Sequence, residues 1–287
     1  MSSSSASPAR AARRRVAWQQ ATAAKRRRER SAAYVAIGLA LALFAGMILT
    51  KVANEHTAAT APISANTSTT AQVVHAATSV PASVYATVGD GGTTNQAQTV
   101  TGTGALTVGG KPEVLYLGAE YCPYCAAERW PLVLALSRFG TFTGLALTES
   151  SGSDVYPNTN TFTFQHATYR SDYLALTTVE LYDRSQAPLQ SPTAAQQQLL
   201  QTYGQGGIPF IDLGGNVVLR SSGYDPQLLA GQDWSAIAQS LTDTSSPATR
   251  AIVGTANRIT GQLCNLTHDQ PTAVCTAPEV KALEANS

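Results

Sequence analysis

A run of twenty residues without a charge, Ser31 to Thr50 (SAAYVAIGLALALFAGMILT), constrains this chain more than any other stretch. At about 1.5 Å of rise per residue, a helix of that length spans ~30 Å, the hydrocarbon thickness of a bilayer. A buried helix of a globular core does not account for it. Arg30 and Lys51 bracket the run, a polybasic stretch abuts one end, and a polar Thr/Ala/Ser tract follows the other. Residues 1–30 carry nine Lys/Arg (Arg10, Arg13, Arg14, Arg15, Lys25, Arg26, Arg27, Arg28, Arg30) against one acid, Glu29. The positive-inside bias then places this tail in the cytoplasm and the rest of the chain beyond the cell membrane. A cleaved signal peptide is the rival reading, but its apolar region is normally only ~7–15 residues, so a retained single-pass anchor is expected.

The formal charge of +1 averages two unlike halves: residues 52–287 hold nine Lys/Arg against 17 Asp/Glu, a net of −8. An apolar content of 44% is enough for a core, and 13% charged residues exclude a long charged coiled coil. The outer portion is no basic nucleic-acid binder, and the tail has neither aromatic nor motif support for that role. Anionic lipid is the partner its charge suits. Residues 51–80, rich in Thr, Ala and Ser, read as a flexible tether in which His56 and His75 are solvated. One domain is expected over 81–287.

Within it, residues 104–108 predict a short strand and Glu113–Gly118 (EVLYLG) a central buried one. Helical spacing covers 123–139, with Pro131 predicting a kink. A strand is expected over 143–149, strands and turns over 155–184, and a helix over 193–203. Pro209–Leu213 and Val217–Arg220 read as a hairpin, with helices over 225–242 and 246–264. The fold class is α/β, a mixed sheet flanked by helices.

Four cysteines fall into two pairs on the outer, disulfide-permissive side: Cys122 with Cys125, and Cys264 with Cys275. Cys122-Pro123-Tyr124-Cys125 follows the buried strand and opens a helix. There the free N–H groups and the macrodipole favour a thiolate on the first sulfur, and the second sits one turn on, close enough to attack a mixed disulfide. Zinc would need a second C-x-x-C or a matched His pair, and neither exists, so no metal is expected. A static bridge this short would constrain the unfolded chain weakly. Cys264 and Cys275 are either a structural bridge, stabilising by ~3 kcal/mol, or a second pair relaying electrons. His268 in their loop is expected to be solvated.

The run Val114–Cys125 (VLYLGAEYCPYC), the helix with its proline, and the Ile208-Pro209 hairpin resemble the thioredoxin superfamily. More specifically, GKPEVLYLGAEYCPYCAAERWPL, DVYPNTNTF, GGIPFIDLGG and LCNLTHDQPTAVC are similar to the thioredoxin-like family known as domain of unknown function 929, over roughly residues 80–280. The resemblance implies a thioredoxin-like fold, Cys122 as the attacking cysteine, Cys125 as the resolving one and Pro209 as a cis-proline. It also implies a substrate face made by Tyr121, Pro123, Tyr124, Ile208 and Pro209. The chain departs from the superfamily pattern in having Tyr116 where many thioredoxins keep a buried carboxylate, and Tyr121 where a tryptophan is usual. Glu120 is the nearest carboxylate in sequence, and the insert over about 141–205 is long.

Dinucleotide and phosphate-loop fingerprints fail at Thr107 and Ala105, no hydrolase or zinc-protease motif occurs, and no cofactor is expected. His166 reads as structural; Asn66 and Asn265 sit in glycosylation sequons. The expected function is a membrane-anchored extracytoplasmic thiol–disulfide oxidoreductase acting on cysteine-containing proteins. Either direction of catalysis requires a redox partner in the membrane. The alternative is a tethered binding or envelope-structural module with static disulfides.

Overall fold

A computed structural model describes residues 66–284. The basic segment 1–30, the apolar run 31–50 and the first part of the 51–80 segment lie outside the described residues. Among the described residues no helix is long and apolar enough to cross a membrane.

The helices are α1 (Thr67–Thr78), α2 (Ala82–Val88), α3 (Pro123–Ser137), α4 (Ala194–Thr202), α5 (Trp234–Ser240), α6 (Pro247–Leu266), α7 (Thr272–Cys275) and α8 (Pro278–Glu284). The strands are β1 (Gln98–Thr99), β2 (Thr107–Val108), β3 (Lys111–Gly118), β4 (Gly140–Thr143), β5 (Ala146–Glu149), β6 (Asn160–Thr163), β7 (Thr168–Ser171), β8 (Ala175–Glu180), β9 (Phe210–Leu213) and β10 (Val217–Leu219). The main sheet runs β1-β10-β9-β3-β2, with β8 also on β3. β3 is parallel to β8 and antiparallel to β9, so the sheet is mixed. Its continuous apolar run has a physical cause, since both faces are covered. Val114 and Tyr116 join the larger core with α3 and α6, while Leu115 and Leu117 pack with Phe210, Val179 and Leu200 beneath α4.

The tether reading of 51–80 is corrected over its second half, where residues 67–78 are helical. Asn66 caps α1, its Oδ1 accepting from the Thr69 N–H at 2.7 Å, and Val73 and Ala77, one turn apart, are buried in the larger core. An apolar pair so sparse in a Thr/Ala tract shows no helical period by itself. His75 is exposed, as expected. Burying one valine contributes about 1.5–3 kcal/mol. A chain beginning at Val80 is therefore expected to be about 2 kcal/mol less stable than one beginning at Thr60. Equal urea midpoints for the two would show that α1 adds nothing.

The strand expected at 143–149 is two, β4 and β5, separated at Gly144. There φ is +76° and a Cβ would lie 2.8 Å from the His166 carbonyl oxygen, so the chain turns where only glycine fits. These strands pair with β7 and β6 in two separate ladders. The helix expected over 225–242 is a 3₁₀ turn at Pro226–Leu229 followed by α5; α2, α7 and α8 carried no sequence signal strong enough to read. α3 continues through Pro131 to Ser137. Pro131 has no N–H to give the Ala127 carbonyl four residues back, and the Tyr224 hydroxyl fills that place at 2.8 Å.

Candidate active site

β3 ends at Gly118, the chain turns through Ala119–Tyr121, and Cys122 caps α3. Cys122 is extended (φ −79°, ψ 121°), and its Sγ accepts from the Cys125 N–H at 3.3 Å. Pro123 occupies the first helical position, where a missing N–H costs nothing. Both cysteines are free thiols, Cys122 6% exposed and Cys125 fully buried.

Their environments drive the two thiols apart. The thiol of Cys125 hydrogen-bonds Cys122 and holds its pKa below the ordinary value; burial opposes this, while the Cys125 and Tyr124 N–H groups and the Arg129 charge assist. Burial, together with the hydrogen bond to and charge of Cys122, pushes Cys125 well above its ordinary value. The outer sulfur is the better nucleophile and the inner one is kept protonated.

The antiparallel pairing Leu117↔Phe210 carries the Ile208-Pro209 segment to the same end of the sheet. The Ile208–Pro209 bond is cis, and the Ile208 carbonyl oxygen lies 3.9 Å from Cys122 Sγ. Tyr121 precedes Cys122 and Tyr124 lies between the two cysteines. Two residues that the sequence did not single out join them: Tyr182, its ring 6.2 Å from that of Tyr121, and Tyr156, 6.0 Å from Tyr124. Tyr124 and Tyr182 are 37% and 40% exposed.

Below the dithiol lies a group that sequence reading missed. Arg129, one turn beyond Cys125, is fully buried and makes a two-pronged pair with the buried Glu180 at the end of β8: Nε–Oε1 3.0 Å and Nη2–Oε2 2.7 Å. Its Nη2 also donates to the Ala119 carbonyl at 2.9 Å, bracing the turn that delivers Cys122. The available signal was two adjacent charges, Glu128 and Arg129, inside an otherwise apolar helix, each of which demands a partner. Tyr116, in β3, is fully buried as well. Its hydroxyl lies so close over Gly118 that a Cβ there would sit 2.1 Å from it. Glu120 is half-buried and accepts from the Thr163 hydroxyl at 2.6 Å, its carboxyl pushed up by burial.

Cys264 and Cys275 form a disulfide with both residues fully buried in the larger core. His268 is exposed, and His166 is exposed in the turn between β6 and β7.

Glu128, the other charge inside α3, is buried, with the Gly223 N–H donating to Oε2 at 2.8 Å. Burial raises its pKa from 4.5 to about 8, and burial likewise raises Asp212, in β9, to about 6. A carboxyl held protonated in the fold stabilises it fully below the ordinary carboxyl range. That stabilisation is lost as pH rises through the folded value. Above about pH 6 the Asp212 share is exhausted, so the further decline toward pH 8 belongs to Glu128. A loss of up to ~3 kcal/mol over that window is expected at about 1.4 kcal/mol per pH unit. Glu128→Gln should flatten it in urea denaturation series; an unchanged slope would mean that Glu128 is ionised in the fold.

A family model described as Domain of unknown function (DUF929) matches residues 97–265, more than half of the chain. The chain belongs to this family. The matched region holds the dithiol, Arg129, Glu180, the Ile208-Pro209 segment and Cys264, and stops short of Cys275. No curated protein and no solved structure matches the chain.

Proposed function

We propose that this DUF929 member is a thioredoxin-like thiol–disulfide oxidoreductase, anchored by its N-terminal span and facing outward, that acts on cysteines of extracytoplasmic proteins. The observation that carries this reading is the asymmetric dithiol at the first turn of α3, with Cys122 lowered and Cys125 raised beside the cis Ile208–Pro209 segment. The Cys122 thiolate attacks a substrate disulfide, forming a mixed disulfide and releasing one substrate thiol. Cys125 then attacks the Cys122 sulfur, closing the Cys122–Cys125 disulfide and releasing the second. Two electrons pass to the substrate; the reverse sequence oxidises a substrate dithiol and leaves both cysteines reduced. The anchored, outward placement rests on the apolar run 31–50 and the basic tail before it. A redox partner in the membrane would reset the pair after each turnover.

The low exposure of Cys122 favours a second reading, a tethered binding module whose cysteines do not exchange. Titration in dithiol buffers, with each pair read by alkylation and mass spectrometry, separates the two. A Cys122–Cys125 potential between about −120 and −200 mV would mark an oxidase or isomerase, and one near −270 mV a reductant. A bridge that resists reduction below about −300 mV would leave the binding module standing. Cys264–Cys275 is expected to stay closed throughout, since exchange needs an attacking thiolate to reach a sulfur and both are buried.

A further inference from the structure

On the interior side of the dithiol two buried hydrogen-bond donors have no acceptor among the described residues. Arg129 commits Nε and Nη2 to Glu180 and Ala119, while its Nη1 meets no acceptor among the described residues. The Tyr116 hydroxyl is likewise buried and has no partner. Its ring is held edge-on by Phe164 at 5.1 Å, and the Arg129 guanidinium carbon lies 5.8 Å from its centroid. Buried donors left unfilled are costly and call for an explanation. The neighbouring carboxylates are already engaged, Glu180 with Arg129 and Glu120 with Thr163. Arg129 stands one helical turn beyond Cys125 on the same helix, and Cys125, Arg129 and Tyr116 are all fully buried. The charge of Arg129 acts on both sulfurs, and both act on Tyr116. A neutral thiol is a weak acceptor, and a thiolate is a strong one.

We propose that Tyr116 and Arg129 are positioning residues for the resolving step: they stabilise the Cys125 thiolate while it attacks the mixed disulfide, in place of a buried carboxylate. The role rests on the redox reading above. In that step the bond between Cys122 and the substrate sulfur breaks and the Cys122–Cys125 bond forms. Over the whole step one proton leaves Cys125 and one is taken up by the departing substrate sulfur, which carries the electron pair.

The test uses the full-length chain in detergent, reduced, freed of reductant and mixed with an equimolar amount of dithiobis(nitrobenzoate), whose released thiolate is coloured. Attack by Cys122 releases the first thiolate and leaves a mixed disulfide; attack by Cys125 releases the second. Tyr116→Phe removes a hydroxyl that has no partner, so the fold is expected to survive. Its first release should match wild type, while the second slows about tenfold at neutral pH and its pH midpoint rises by about one unit. Arg129→Lys keeps the charge but loses the planar fork, and should lie between wild type and Arg129→Met. A folded Tyr116→Phe chain whose second release superimposes on wild type at every pH overturns the role and leaves the redox reading intact. A wild-type chain that releases one thiolate and stops overturns both.

Discussion

Replacing Cys125 by serine is expected to convert a transient intermediate into a trapped one. Cys122 keeps its place as the cap of α3, with N–H groups of the first turn and the Arg129 charge still favouring the thiolate. It loses the Cys125 thiol that hydrogen-bonds it, so its attack slows but persists. The mixed disulfide is then left without its intramolecular attacker. A group held one helical turn away acts at an effective concentration far above that of any external thiol, so the adduct should live about a thousandfold longer or more. Acid-quenched membranes run without reductant should show Cys125→Ser in high-mass species that collapse on reduction. The Cys122→Ser, Cys125→Ser double variant should show none. Absence of Cys122-linked species under these conditions would remove Cys122 as the attacking residue, and the oxidoreductase proposal with it.

The second large effect is on stability. Arg129 and Glu180 are both fully buried and satisfy one another through two hydrogen bonds, with the Phe164 N–H 3.4 Å from Glu180 Oε1. Removing either partner strands the other as a buried charge, at a cost of about 3–5 kcal/mol. That is a large share of the ~5–15 kcal/mol by which a domain of this size is stable. Arg129→Met and Glu180→Leu are each expected to lower the urea midpoint sharply. Combined, they should recover much of the loss, because two apolar side chains replace two charges. Single losses below about 1 kcal/mol, or simple additivity in the double variant, would show that the pair does not act as a buried unit. The same pair ties the start of α3 to the end of β8, so the Arg129 defect should also loosen the Ala119–Cys122 turn.

Much of this architecture is legible in the sequence. Glu113–Gly118 announced a strand covered on both faces, and the C-P-Y-C spacing placed one sulfur at a helix start and the other inside its first turn. The helix expected over 193–203 opens on a local device, a reciprocal cap between the Thr193 hydroxyl and the Gln196 side chain. Elements that failed to announce themselves failed for equally physical reasons. α1 contributes two buried residues from a polar tract, too few to set a period. Gly144 splits an apparent strand because the His166 carbonyl, 22 positions away in sequence, leaves no room for a side chain. Pro131 does not end its helix because Tyr224 supplies the donor that proline lacks.

The order of residues already decided what depends on neighbours a few positions apart: the cap at Cys122, the proline that follows it, and the continuous apolar run that buries both faces of β3. Those features arise from hydrogen bonding and periodicity along one element, and both are local. Packing alone decided which distant groups meet. Glu180 lies 51 residues from the arginine it neutralises, and Ile208 lies 86 residues from the sulfur beside its carbonyl. Nothing in the spacing of such residues encodes their contact. They meet because β8 and β9 both pair with β3, and β3 ends where the helix carrying the two thiols begins.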